Sequence, residues 1–211
     1  MTRQIILASG SPRRKDLLQQ MGVAFIVIPS DFDEQLDHSR SPAEVAKELG
    51  LGKALAVAAN HPEAIVVGGD TIVTVDRRQL GKPVDESDAR ATLQAQAGKQ
   101  VIITSSIAVV CKELGVEIVT ADEALAQLKP YNKAIHEAYL AGGDWADKAG
   151  SWGIQSGGAP LVDYIQGEYD TILGLPTKLL ATLLQAQSVS AHYVDLTIPV
   201  PQRYPGAKAY H

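Results

Sequence analysis

Ile5-Ile6-Leu7-Ala8-Ser9-Gly10-Ser11-Pro12-Arg13-Arg14-Lys15-Asp16-Leu17-Leu18 is the stretch on which the fold turns. Ile5 to Ala8 is a short apolar run of the kind that forms a buried strand. Ser9-Gly10-Ser11 reads as a turn. Ser11 stands as a helix N-cap with Pro12 at the first helical position, where a missing N–H costs nothing. Leu17, Leu18 and Met21 share a helix face, and Gly22 is a C-terminal stop. Strand, turn and helix in this order predict an α/β protein. The first helical turn is unusual in charge. Arg13, Arg14 and Lys15 sit where the helix already carries partial positive charge and unpaired N–H groups. Such an end is a cradle for an anion, and a phosphate-bearing ligand at the C-terminal end of the first strand is the functional reading. The plain alternative is a solvated basic turn whose cations pair with acids such as Asp16.

The chain has 211 residues and a formal net charge of -5. That length suits one sizeable α/β domain or two small lobes sharing a cleft. An acidic protein with a local basic cluster fits a small polyanionic substrate better than nucleic acid, which calls for a broad basic field. The single cysteine, Cys111, lies in the apolar run Ile107 to Val110 and reads as a buried strand thiol. The N-terminal apolar run is too short for a signal peptide or a membrane span, which predicts a cytoplasmic enzyme.

Val23 to Ile28 reads as a second strand, ended by Pro29. The acidic segment Ser30-Asp31-Phe32-Asp33-Glu34-Gln35 is a loop that is either plainly solvated or holds a divalent metal. A right-handed crossover between the two strands would set this loop beside the basic turn. Ser41-Pro42-Ala43-Glu44 opens a helix running to about Asn60. Within it, Gly50-Leu51-Gly52-Lys53 resembles the end of a P-loop but lacks its upstream glycine and the following Ser/Thr, so a Walker motif is rejected. Ala64 to Val67 is a strand, followed by Gly68-Gly69-Asp70-Thr71 and the β-rich run Ile72 to Val75. An aspartate between two such runs is costly if buried without a partner, and a cation or a reacting water would justify it.

Asp76-Arg77-Arg78-Gln79 reads as a hairpin turn that folds Lys82 back towards Asp70. A helix capped by Asp85 or Ser87 runs to about Ala97. Val101 to Val110 and Gly115 to Thr120 read as a hairpin, Glu123 to Leu128 as a short helix or turn, and Pro130 opens a further helix. The loop Asp147-Lys148-Ala149-Gly150-Ser151-Trp152-Gly153-Ile154-Gln155 is glycine-dense, and Gln155 can both donate and accept, as recognition of a base edge requires. Leu161 to Ile165 and Tyr169 to Leu173 read as a pair of strands, and Lys178 to about Gln187 as the last helix. Residues 1–188 are expected to form one domain and 189–211 a proline-containing tail, an arm suited to packing on a partner subunit.

Several motifs together resemble the Maf family of nucleoside triphosphate pyrophosphatases. They are Leu7-Ala8-Ser9-Gly10-Ser11-Pro12-Arg13-Arg14-Lys15, Gly69-Asp70-Thr71, Gly81-Lys82-Pro83, Asp147-Lys148-Ala149-Gly150, Gly153-Ile154-Gln155 and Gly174-Leu175-Pro176. Arg13, Thr71 and Gln155 are similar to the family's dTTP/UTP branch. Ser156, Gln100-Val101 and Gly69 depart from its usual pattern. The resemblance implies an elongated mixed sheet flanked by helices, with two lobes around a central cleft, as in the inosine triphosphatase group. It implies cleavage of a nucleoside triphosphate to the monophosphate and pyrophosphate, aided by Mg²⁺ or Mn²⁺, in a homodimer. It gives Asp70 the role of proton acceptor. On this reading Asp70 and Glu34 hold the metal, Ser9, Arg13, Arg14, Lys53 and Lys82 contact phosphate, and Thr71 and Gln155 face the base. Neither nucleic acid nor a membrane is an expected partner. The alternative is a nucleotide-binding regulator of septum formation without significant turnover.

Overall fold

In a computed structural model of the chain, residues 3–35 and 37–203 are described. An eight-stranded mixed sheet runs in the order β2 (Ile26–Val27), β1 (Ile5–Leu7), β3 (Ile65–Gly68), β6 (Gln100–Cys111), β4 (Thr71–Val75), β5 (Arg78–Leu80), with β7 (Val116–Leu128) on the other edge of β6 and β8 (Val162–Gln166) beyond β7. β1 (Ile5–Leu7) is flanked by two parallel neighbours, β2 (Ile26–Val27) and β3 (Ile65–Gly68). α1 (Pro12–Gln20) is the crossover between β1 and β2, capped by the Ser11 side chain. The C-terminal ends of the three strands therefore open on one side. Ser9, Ser30 and Gly69 follow there.

β6 (Gln100–Cys111) is long enough to carry two strands end to end along one edge. β3 pairs with its second half and β4 (Thr71–Val75) with its first half, both antiparallel. Gly68 faces Ala108 and Thr71 faces Ser105, so the register is the same on both sides of the break. Gly69-Asp70 is thus a gap in one continuous line of strand rather than a turn. Ser106 patches the ladder there. Its N–H donates to the Asp70 carbonyl (2.8 Å), and its Oγ accepts the Asp70 N–H (3.0 Å).

β1 divides the core by simple alternation. Ile6 and Ala8 face α2 (Pro42–Ala58), with Ala54, Val57 and Val66. Ile5 and Leu7 face the opposite layer, with Leu17, Leu93, Leu173 and Leu180. That layer includes α3 (Glu86–Gln96), α4 (Lys133–Ala141), α5 (Tyr169–Leu173) and α6 (Thr177–Ala186). Among the described residues no helix is long and apolar enough to cross a membrane.

Four sequence readings need correction. Tyr169–Leu173 is the helix α5, not a strand; Gly174 ends it in the left-handed region at φ 99°, and the Asp170 carboxylate caps α6 through the Thr177 N–H (2.7 Å). Glu123 to Leu128 is the second half of β7 (Val116–Leu128), where the ladder to β6 overrides an alanine-rich local preference. Only Ile26–Val27 of the second apolar run forms a strand. The β4–β5 turn is tighter than expected: Asp76 and Arg77 carry it at positive φ, and Arg78 already begins β5 (Arg78–Leu80). The described part of the tail, 189–203, lies against its own chain. The Ile165 N–H of β8 (Val162–Gln166) donates to the Pro201 carbonyl (2.9 Å), and the Arg203 N–H donates to the Ile165 carbonyl (2.8 Å). Residues 204–211 lie outside the described residues.

α2 crosses the gap in the strand at very short range. A Cβ on Gly50 would lie 2.4 Å from Ser106 Oγ and 3.1 Å from Gly69 Cα, and one on Gly68 would lie 2.4 Å from the Gly50 carbonyl oxygen. These glycines are therefore spacers between helix and sheet. Alanine is the better helix former by about 1 kcal/mol, but here it would wedge the layers apart. Gly50→Ala is expected to destabilise the fold by about 1–3 kcal/mol in urea unfolding. An unchanged or raised midpoint would contradict the packing account.

Candidate active site

The open side of the strands bounds a cleft of ≈ 660 Å³. Ser9, Arg13, Arg14, Glu34, Lys53, Asp70, Thr71, Lys82 and Gln155 all line it. Lys15 does not line it and is exposed. The residues come from the β1–α1 turn, the acidic loop, α2, the strand gap, the segment after β5 and the glycine-rich loop.

Lys53 is the centre of the charge arrangement. Its ammonium lies 2.6 Å from Asp70 Oδ1 and 2.9 Å from Glu34 Oε1. Lys53 and Asp70 are both buried, whereas half of the Glu34 side chain remains exposed. A buried charge is tolerated when it is paired and hydrogen-bonded. Two short contacts make the pairing possible: the Gly50 approach already described, and Phe32, whose ring edge stands where a Cβ on Gly52 would be, 2.4 Å away. The Phe32–Gly52 contact pins the acidic loop to α2 and brings Glu34 to Lys53. The Gly50-Leu51-Gly52-Lys53 pattern is thus a packing device that delivers a lysine. Among the described residues, nothing hydrogen-bonds Asp70 Oδ2.

Burial works to raise the Glu34 carboxyl. The hydrogen bond from Lys53 and the charges of Lys53, Lys82 and Arg14 outweigh it and hold the group below its ordinary value. For Arg14, burial pulls the guanidinium down, against the attraction of Asp70 and Glu34. It remains charged at any physiological pH.

Arg14 is a hub. Nε donates to the Gly174 carbonyl (2.8 Å), Nη1 to Ser9 Oγ (3.1 Å) and Nη2 to Thr71 Oγ1 (2.9 Å). Ser9 Oγ also accepts the Ser11 N–H (3.2 Å). With two donors aimed at it, the Ser9 hydroxyl has its proton left to offer, which suits an anion. Arg13 and Lys82 are the more available cations. Arg13 has a distant acid, Asp147, at 3.8 Å, and Lys82 is exposed, with no ion pair among the described residues. Gln155 is likewise exposed at the cleft, and its amide has no hydrogen bond among the described residues.

Several residues that shape the site escaped the sequence reading. Ser105 and Ser106 are wholly buried beneath Thr71 and Asp70. The polar triplet Thr104-Ser105-Ser106 inside an apolar strand was their signal, since buried hydroxyls need partners. Gln96, also wholly buried, holds the glycine-rich loop: Nε2 donates to the Gly150 carbonyl (2.7 Å), and Oε1 accepts the Trp152 Nε1–H (3.1 Å). Lys148 folds back on the Asp144 carbonyl and Asp147, and its stem fills the space beside Gly153.

Among the described residues no set of three His, Cys, Asp or Glu side chains could hold a metal ion. Asp70 and Glu34, joined through Lys53, are two oxygen-donor groups at the cleft. That donor set fits Mg²⁺ or Mn²⁺, which binds through one or two carboxylates together with substrate phosphates and waters.

Comparison with known proteins supplies relatives. The Maf-like protein family matches residues 4–187. A protein of Bacillus cytotoxicus named dTTP/UTP pyrophosphatase is 41% identical over 191 residues, 90% of this chain and 99% of its own. Relatives of the same name from Dictyoglomus thermophilum and Symbiobacterium thermophilum are each 40% identical, over 87% and 86% of this chain and 96% and 93% of their own.

Gln96→Leu would leave the Trp152 N–H and the Gly150 carbonyl buried and unpaired, at about 1–3 kcal/mol for each group. Denaturant unfolding should show that loss; wild-type stability would contradict the anchoring role. Glu34 titrates lower in the folded than in the unfolded chain. Its contribution is therefore present above the ordinary carboxylate range, about pH 4, and lost as pH falls through the depressed value. Glu34→Gln should flatten the acid limb of stability against pH. A limb as steep as that of the wild type would count against the Lys53–Glu34 pairing.

Proposed function

The chain belongs to the Maf family, and from that premise we propose that it hydrolyses nucleoside triphosphates, dTTP and UTP first among them, to the monophosphate and pyrophosphate. The observation that carries the reading is the state of Asp70. One oxygen is clamped by Lys53, the other is uncommitted, and the carboxylate stands in the wall of a cleft lined by separate cations. A carboxylate oriented through one oxygen and open at the other is what a general base requires.

Asp70 and Thr71 are neighbours, so the base stands near the nucleoside end of the bound triphosphate, beside its α phosphate. Asp70 Oδ2 takes a proton from water. The water oxygen bonds to the α phosphorus, the bond from that phosphorus to the bridging oxygen breaks, and pyrophosphate leaves with the electron pair. Arg13 and Lys82 carry the developing charge, Arg13 in a bidentate fork and Lys82 as a point charge. The Ser9 proton binds a phosphate oxygen. Lys53 keeps Asp70 aimed through its hydrogen bond to Oδ1. Thr71 and Gln155 read the base. Asp70 and Glu34 would hold Mg²⁺ or Mn²⁺. Such an ion, when bound, neutralises phosphate charge and lowers the pKa of bound water.

Asp70→Asn is expected to lower kcat for UTP by about 10²–10⁴-fold, as loss of a general base does. Nucleotide affinity by calorimetry should change far less. Pyrophosphate release at a near-wild-type rate from the variant would remove Asp70 from this role.

A further inference from the structure

The hydroxyl of Thr71 sits in a hydrogen-bond chain whose direction is fixed from both ends. At one end Arg14 Nη2 is a donor only, so Thr71 Oγ1 accepts from it at 2.9 Å. At the other end the Thr171 carbonyl is an acceptor only. Ser105 Oγ must therefore donate its single proton there, at 2.8 Å. Thr71 Oγ1 and Ser105 Oγ are 3.0 Å apart. Ser105 has no proton left for that contact, so Thr71 must be its donor. The Thr71 hydroxyl thus accepts from Arg14, donates to Ser105 and retains one acceptor lone pair.

Ser105 is wholly buried, so no water can relieve this constraint. Thr71 itself is only half-buried and lines the cleft. Gly174 packs closely against the oxygen from the buried side, since a Cβ there would lie 2.9 Å from Thr71 Oγ1.

We propose that Arg14 and Ser105 act as positioning residues that make the Thr71 hydroxyl an acceptor only, so that it selects bases offering an N–H donor to it. On the reading that the substrates carry uracil or thymine, which this inference rests on, the donor is N3–H. It is the one donor on their pairing edge, whose flanking O2 and O4 only accept. Cytosine presents a bare N3 at the same place and meets lone pair with lone pair. The discrimination comes from a serine that never touches the nucleotide.

The test compares kcat/KM for UTP and CTP in wild type, Ser105→Ala and Thr71→Val. Loss of the Ser105 hydroxyl frees the Thr71 proton, which can then turn to cytosine N3. The UTP:CTP ratio should fall by about tenfold, mainly through a gain on CTP, as one correctly matched hydrogen bond implies. Any general loosening of the site acts on both nucleotides and cancels in the ratio. Thr71→Val removes the acceptor, and with it both the bond to the uracil N3–H and the clash with cytosine N3, so the UTP:CTP ratio should fall by about tenfold, here mainly through a loss on UTP. An unaltered ratio in Ser105→Ala, with Thr71→Val still shifting it, would overturn the fixed polarity while leaving Thr71 at the base. An unaltered ratio in Thr71→Val would overturn the contact between Thr71 and the base, and the inference with it.

Discussion

One buried ammonium organises this site. Lys53 stands between Asp70 and Glu34, at 2.6 and 2.9 Å, and without it two carboxylates would face each other in a partly desolvated cleft. Breaking a buried pair of this kind by removing one partner typically costs about 3–5 kcal/mol. Much of the surrounding structure follows from the need to bring the three charges together. α2 must lie almost on the sheet, which requires Gly50 and Gly68. The acidic loop must be held down, which Phe32 does against Gly52. The strand must interrupt itself at Gly69-Asp70 without losing register, which Ser106 makes possible.

Arg14 plays a complementary part on the other wall. Its sequence neighbours suggest three equivalent cations at a helix N-terminus. The fold instead separates them: Lys15 lies outside the cleft lining, Arg13 stays available at the cleft, and three of the Arg14 N–H groups are engaged inside the protein. Because Arg14 can only donate, it sets the polarity of both hydroxyls it touches. Ser9 is left with a proton to offer and Thr71 with a lone pair. One side chain thereby gives the cleft a donor suited to phosphate and an acceptor suited to a base.

The parts of this arrangement that were legible in the sequence are those governed by local chemistry. The strand, cap, proline and leucine spacing from Ile5 to Leu18 specify β1 and α1 directly, and an aspartate between two apolar runs stands out because burial makes it expensive. Tyr169 to Leu173 misleads because five residues hold no period that separates helix from strand; Gly174 was the clue. Glu123 to Leu128 misleads because its strand exists only by pairing with β6. Gln96, Ser105 and Ser106 act across long separations, on Gly150, Thr171 and Ala46, and no local pattern names such partners. The glycines of the Gly50-Leu51-Gly52-Lys53 stretch are visible in the sequence, but only the packed structure shows what each one leaves room for.

In the proposed reaction a water held by Asp70 attacks the phosphate nearest the nucleoside. Hydrolysis of UTP in ¹⁸O-enriched water, with the products separated and weighed by mass spectrometry, tests it most directly. The heavy oxygen should appear in the monophosphate and none in the pyrophosphate. Label in the pyrophosphate would mean that water attacks the β phosphorus and that Asp70 stands beside the wrong atom for the role given to it.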